Sequence, residues 1–189
     1  MAQANDALQP LLDELGISMW DVLLIGDGSG SHWNIGIGWS CVLIDRETGG
    51  RKLFYGAANL GCIATAEFLA YLLPIEWYAF RRKQRKEKQL CRVHVVTDNE
   101  LLVRQSKIAR EGKLSSITYN GALWAAIQDM ERKGGFLFEF HWKARNEVAL
   151  NRLCDIVAGN ARVTLRDMTV QGASRSLLSY VYDTNIVDD

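Results

Sequence analysis

Histidine and cysteine are scarce in this chain, and neither is grouped: the three histidines stand at 32, 94 and 141, the four cysteines at 41, 62, 91 and 154. No close pair among them points to a zinc cluster or a disulfide framework, so reduced, mostly buried thiols are expected. The histidines read as strand or loop residues, since none has a partner at metal-ligand or nucleophile spacing. Net charge is missing too, because 22 Lys and Arg balance 22 Asp and Glu. Whole-molecule basicity therefore announces no nucleic-acid partner, and any such binding falls to local patches. The longest apolar runs, such as 22–25, fall far short of the roughly 20 residues that span a bilayer. The start, MAQANDALQP, has neither the basic nor the apolar region of a signal peptide. A cytoplasmic monomer with no membrane partner is the default expectation.

What is present suits one α/β domain: 189 residues, 48% hydrophobic and 23% charged, are enough for an ordinary core and need no second domain. Residues 7–15 place leucines at 8, 11, 12 and 15, the spacing of a short amphipathic helix packed on the main domain. From 21 the pattern becomes extended, with strands expected over 21–30, 35–45 and the segment after the turn near 46–50. Short turns between them make an antiparallel meander. A helix kinked by Pro74 follows over 64–80, then a basic run over 81–88. A fourth strand is expected at 91–99, helices at 100–111 and 121–133, a fifth strand at 136–142 and a helix at 149–159. The helix between the meander and the fourth strand makes that pairing parallel, which gives a five-stranded mixed sheet flanked by helices. Three segments are expected: an N-terminal helical extension over 1–19, a catalytic domain over 20–160 and a C-terminal extension over 161–189. The tail's VTLRDMTV and LLSYVYD fit either a strand or a short packed helix.

Four carboxylates fall at strand and helix ends. Asp27 ends an apolar strand, Glu67 opens a helix, Asp98 ends a second strand, and Asp155 sits on the late helix. A hard cation such as Mg²⁺ takes oxygen ligands and keeps several waters, so a few acids from different elements suffice to hold it. Two such ions roughly 3.5–4 Å apart activate a water and stabilise the leaving oxygen of an in-line phosphoryl displacement. Each acid also has an ordinary reading: a turn former at Asp27, a first-turn acid at Glu67, a helix N-cap at Asp98 and a solvated helix position at Asp155.

The series GDGSG at 26–30, TAEFLAY at 65–71, VVTDNELLV at 95–103 and WKARNEVALNRLCDIVAG at 142–159 resembles type 1 ribonuclease H over roughly residues 20–160. Each piece alone is weakly specific. Their order, their matching elements and the separations of 40, 31 and 57 residues between the acids are much stronger. The resemblance implies the ribonuclease H-like fold and an endoribonuclease that cuts the RNA strand of RNA–DNA hybrids with two Mg²⁺ or Mn²⁺ ions. It implies that Asp27 bridges both ions, that Glu67 and Asp98 hold one, and that Asp155 completes the other. Asn151 matches a family asparagine on the last helix, and Asn120 and Trp124 match a helix after the second Asp strand. Gly28, Ser29, Asn99, Lys143, Arg145 and Asn151 are the expected substrate contacts.

The chain departs from the family in informative places. Arg145 stands where many members have a mobile histidine, and arginine cannot shuttle protons at neutral pH, so its expected role is to engage phosphate or leaving product. Cys62, Ile63 and Ala64 stand where members place polar groups against the hybrid's minor groove, where 2′-hydroxyls and base edges are read. The basic handle of some bacterial members is absent, since 100–136 has room for only two helices. The run over 81–88, with six basic residues and one acid, reads either as its replacement on backbone phosphates or as a solvated helix end.

Other readings stay open: a resolvase- or transposase-like DNA nuclease with the same acids, or a nucleic-acid-binding module without catalysis. An actin-like ATPase shares this fold core and the Asp-Gly-Ser loop but needs two such domains. Ser29 lacks the flanking glycines of a nucleophile elbow, and the glycines over 26–38 lead into a strand, which argues against a dinucleotide site.

Overall fold

The computed structural model describes residues 8–30, 36–59, 61–117, 120–170 and 177–183; His32 and the start of the expected first helix lie outside them. A short helix α1 (Gln9–Glu14) precedes the meander β1 (Val22–Gly30), β2 (Ile37–Asp45) and β3 (Arg51–Ala58). Then follow α2 (Ile63–Gln84), β4 (Cys91–Thr97), α3 (Glu100–Arg110), α4 (Gly121–Gly134), β5 (Phe136–Trp142) and α5 (Ala149–Val170). β1, β2 and β3 pair antiparallel, while β4 pairs parallel to both β1 and β5. The expected five-stranded mixed sheet is therefore present. A sixth strand, β6 (Leu177–Asp183), pairs antiparallel with β3 and completes the order β5-β4-β1-β2-β3-β6.

The strands are apolar on both faces because both are covered, as a mixed sheet with helices on each side requires. One face packs Leu24, Trp39, Val93, Val95 and Phe138 against Phe68, Tyr71 and Ile75 of α2 and Trp124 of α4. The other packs Leu23, Ile25, Val42, Ile44 and Val96 against Cys154 of α5 and against Leu8, Leu12, Ile17 and Trp20 of the N-terminal segment. That segment is thus part of the core on its face. Cys41, Cys91 and Cys154 are buried and all four cysteines are free thiols, as expected.

Several elements differ from the sequence reading. α2 includes the buried Pro74, which has no N–H to return to Ala70, and it extends past residue 80 into the basic run as far as Gln84. α5 passes residue 159 and extends to Val170. α4 is delimited by Asn120 and Gly135, both left-handed at φ 64° and 67°, where an Asn and a Gly carry that geometry at low cost. Among the described residues no helix is long and apolar enough to cross a membrane.

Candidate metal centre

β1 and β4 run side by side only over Val22–Ile25 and Val93–Val96, then part. Tyr71 of α2 sits behind the fork, its hydroxyl donating to the Gly26 carbonyl at 2.5 Å with the Val96 carbonyl 3.2 Å away. Asp27 follows the fork on one strand and Asp98 on the other. Gly28 lets α2 close in from above, because a Cβ there would lie 2.3 Å from the Glu67 nitrogen. Asn120 donates from Nδ2 to the Ala64 carbonyl at 2.8 Å and holds the start of α2 in place. Trp124 meets Phe68 edge-on with centroids 5.0 Å apart and donates to Gln105 Oε1 at 3.0 Å, bracing the same helix from α4.

Carboxylate oxygens of Asp27, Glu67 and Asp98 consequently lie within 4.8 Å of one another. Asp27 is fully buried and Glu67 is 4% exposed. Burial, then Asp98, raises the Asp27 carboxyl to about 7, with Arg145 pulling the other way. Burial, then Asp27 and Asp98, raises Glu67 to about 9. Asp27 and Glu67 therefore hold their protons more tightly than free carboxyls do, unless a cation joins them.

That cation is supplied internally by Arg145, from a one-turn helix (Arg145–Glu147) ahead of α5. Its Nε donates to Asp98 Oδ2 at 2.7 Å, while Nη2 is 3.5 Å from Asp27 Oδ2 and Nη1 is 3.8 Å from Asp155 Oδ1. The surrounding carboxylates raise its pKa further. Arg145 is nevertheless 48% exposed at the side chain, so it closes the cluster from the solvent side. Asp27 Oδ2 and Glu67 Oε2 are buried without a hydrogen-bond donor. An all-oxygen set with two buried oxygens that accept no hydrogen bond, one of them facing Arg145 at 3.5 Å, fits a hard divalent cation, which asks for oxygen ligands and no fixed N–H partners.

The remaining expected residues fall into distinct places. Asp155, 42% exposed at the side chain, borders the compact trio through Arg145 rather than joining it. Asn99, not Asp98, caps α3, its Oδ1 accepting from Leu101 and Leu102, which leaves the Asp98 carboxylate free for the cluster. Gly28 donates to Asp27 Oδ1 at 2.8 Å, and Ser29 is half-buried beside it on β1. Lys143 is paired with Glu14 and with Glu147 at 2.7 Å, so it ties α1 to the loop before α5. Asn151 is only 2% exposed, and its Oδ1 has no donor. The N-cap of α2 is Cys62, which makes no capping bond and contacts Thr65 Oγ1 at 3.3 Å.

Part of the basic run is structural. Arg82 is 6% exposed, bonds the Gln89 carbonyl, pairs with Glu87 at 3.1 Å and lies over the Phe136 ring. Arg81 lies over Trp77. The run begins fourteen residues after Glu67, or roughly 20 Å along the helix. Sequence reasoning also missed a pairing that only the sheet creates: His94 and His141, on adjacent strands, stand 2.9 Å apart, Nδ1 to Nε2.

The order of the first five strands and the flanking helices are those of the ribonuclease H-like fold, and the chain has that fold. No protein-family model and no curated protein matches it. Among solved structures it is similar to the N-terminal ribonuclease H domain of a Mycobacterium tuberculosis protein, with TM-score 0.56 and 18% identity over 82% of this chain and all of that one. It is also similar to a ribonuclease H1 isolated from compost, with TM-score 0.55 and 21% identity over 78% of this chain and 99% of that one. That enzyme has been solved with an RNA/DNA hybrid, and this form gives TM-score 0.56 at 18% identity over 76% and 98%. A ribonuclease H1 from Halobacterium salinarum matches at TM-score 0.53 and 18% identity, over 74% of this chain and 96% of that one.

Proposed function

We propose that the chain is a metal-dependent endoribonuclease that hydrolyses the RNA strand of RNA–DNA hybrids. The observation that carries this reading is the trio Asp27, Glu67 and Asp98, drawn from three elements to within 4.8 Å, with buried carboxylate oxygens that lack donors. Asp27, Glu67 and Asp98 would hold one Mg²⁺ or Mn²⁺ ion, and Asp27 with Asp155 a second. Bound there, the ions supply an activated water and charge neutralisation at the leaving oxygen.

The protein's own share is placement. Gly28 and Tyr71 fix how closely α2 approaches the fork, and so fix Glu67 against Asp27. Arg145 holds the acids together in the free protein and swings outward on its half-exposed side chain when phosphate arrives, where its planar fork suits phosphate oxygens. It carries no proton in either direction at neutral pH, so proton movement belongs to solvent and phosphate oxygens. Substrate hybrid is the reading favoured by the solved compost enzyme, whose complex holds an RNA/DNA hybrid.

A second reading, a DNA nuclease, is favoured by one observation: Cys62, Ile63 and Ala64 at the start of α2 offer few polar groups for 2′-hydroxyls. The deciding assay gives the purified protein labelled hybrid, duplex DNA, double-stranded RNA and a four-way junction in parallel, with and without Mg²⁺. Mg²⁺-dependent cleavage of the hybrid's RNA strand, abolished in Asp27→Asn with the circular dichroism spectrum unchanged, is the expected result. Cleavage of the junction alone would support the DNA nuclease, binding without cleavage would leave a non-catalytic module, and full activity in Asp27→Asn would end the metal reading.

A further inference from the structure

A second metal-ligand cluster lies on the sheet itself, built from residues that the sequence keeps far apart. In the parallel β4–β5 pair His94 stands opposite Glu139 and Val96 opposite His141, so strand alternation puts His94, Glu139 and His141 on one face and the phenylalanines of β5 on the other. His94 is 5% exposed. Its Nδ1 is 2.9 Å from His141 Nε2 and 3.7 Å from Glu139 Oε2, and the two imidazoles stack with centroids 5.1 Å apart. One ligand atom from each of the three lies within 4.8 Å of the others.

The hydrogen bonding assigns the tautomer. His94 Nε2 is 3.0 Å from the Met19 carbonyl oxygen, which can only accept, so Nε2 carries the proton. In neutral His94 the Nδ1 lone pair then points at His141 and Glu139. A ring N–H donated to a backbone carbonyl is the partner that metal-ligating histidines usually have, since it fixes both tautomer and ring angle. Burial and the neighbouring His94 lower the His141 pKa from its ordinary 6.5, against the pull of Glu139. Two imidazoles and one carboxylate make an N,N,O set, the preference of Zn²⁺ and its neighbours rather than of Mg²⁺, and leave a fourth position open to water.

We propose that His94, His141 and Glu139 form a second metal site, chemically distinct from the carboxylate cluster, that takes a Zn²⁺-class transition ion and locks Met19 and the N-terminal segment onto the β4–β5 edge. The segment is held there by Ile17 and Trp20 in the core and by the Met19 carbonyl on His94. An ion on Nδ1 polarises the ring and strengthens the Nε2–H bond to that carbonyl. Metal occupancy and docking of the N-terminal segment are thereby linked.

The test titrates Co²⁺ into the full chain in excess Mg²⁺ and follows the visible bands of low-coordinate Co²⁺, then adds Zn²⁺ as competitor. One Co²⁺ per chain, displaced by Zn²⁺ and indifferent to Mg²⁺, is expected. Loss of a direct ligand should cost at least the roughly 100-fold that loss of an outer partner can cost, so His141→Gln and Glu139→Gln should each weaken binding by that factor or more. Asp27→Asn should bind as the native chain does. Zn²⁺ should also slow proteolysis after Met19 in the native chain but not in Glu139→Gln. The idea is overturned if the native chain binds no Co²⁺, if both glutamine variants bind normally while keeping native circular dichroism, or if Asp27→Asn abolishes the bands, which would put the ion in the carboxylate cluster.

Discussion

Asp27 is the residue at which stability and the proposed chemistry pull in opposite directions. Burial and the nearby Asp98 raise its carboxyl from 3.8 to about 7. Its folded-state pKa therefore exceeds the unfolded one, so the folded chain holds the proton more tightly. The resulting stability is complete below about pH 3.8 and is lost as pH rises through about 7. Glu67 has the same sign, with a window that reaches about 9. Asn at 27 cannot ionise, yet it can still accept the Gly28 N–H now bonded to Oδ1. In metal-free buffer, the melting temperature of Asp27→Asn should therefore pull ahead of the native protein as pH rises from 4.5 to about 7, then hold a constant lead. The lead corresponds to on the order of 3 kcal/mol. Thermal melts across that range check it, and a lead that shrinks with rising pH would show that Asp27 is not the protonated partner. The same substitution that removes activity should thus stabilise the free protein, the usual trade at a built site.

Elements decide whether acids in a sequence become a cluster, and Gly28 shows how. A Cβ at 28 would lie 2.3 Å from the Glu67 nitrogen and 2.7 Å from the Ala66 carbonyl carbon, both backbone atoms that cannot rotate away. Gly28→Ala must push the first turns of α2 outward. Overpacking of that kind costs about 1–3 kcal/mol. Because the displaced residue is Glu67, cleavage should fall at least tenfold while the fold survives, measured as kcat beside a thermal melt; unchanged kcat would mean that Glu67 need not sit where it does. The order of elements and the acids themselves were legible in the chain, since apolar runs ended by Gly or Asn mark strand and helix ends. Short-range competition was not. Asp98 and Asn99 are adjacent cap formers, and only the geometry gives the cap to Asn99 and the carboxylate of Asp98 to the cluster. The His94–His141 pair was hidden because its 47-residue separation carries no local pattern and depends on the β4–β5 register. The length of α5 and the pairing of β6 with β3 were equally unreadable, because a tail of loosely alternating residues leaves helix and strand undecided until an open edge accepts it.

At the scale of the whole molecule the N-terminal segment is the least expected contributor, since its sequence shows only a short amphipathic helix. α1 has six residues, too few to be stable alone, so its order derives from what it covers. Leu8, Leu12 and Ile17 are each at most 6% exposed and pack on Leu23, Ile25, Val42 and Ile44, the face that α5 only partly shields. Burying a side chain of that size contributes about 1.5–3 kcal/mol, so three contribute roughly 4.5–9 kcal/mol. A domain of this kind is stable by about 5–15 kcal/mol in total. Lys143 adds a tie from the other direction through Glu14, on the same loop that presents Arg145. Removing residues 1–19 should therefore strip the sheet of most of its margin and loosen the loop that closes the carboxylate cluster. The shortened chain should lose its cooperative thermal transition, or melt at least about 9 °C lower on the usual scale of about 2–4 °C per kcal/mol for this size, and should expose apolar surface to a hydrophobic dye. A shortened chain that melts within a few degrees of the full one would make the segment a passenger; the burial of Leu8, Leu12 and Ile17 argues that it is part of the wall on that face.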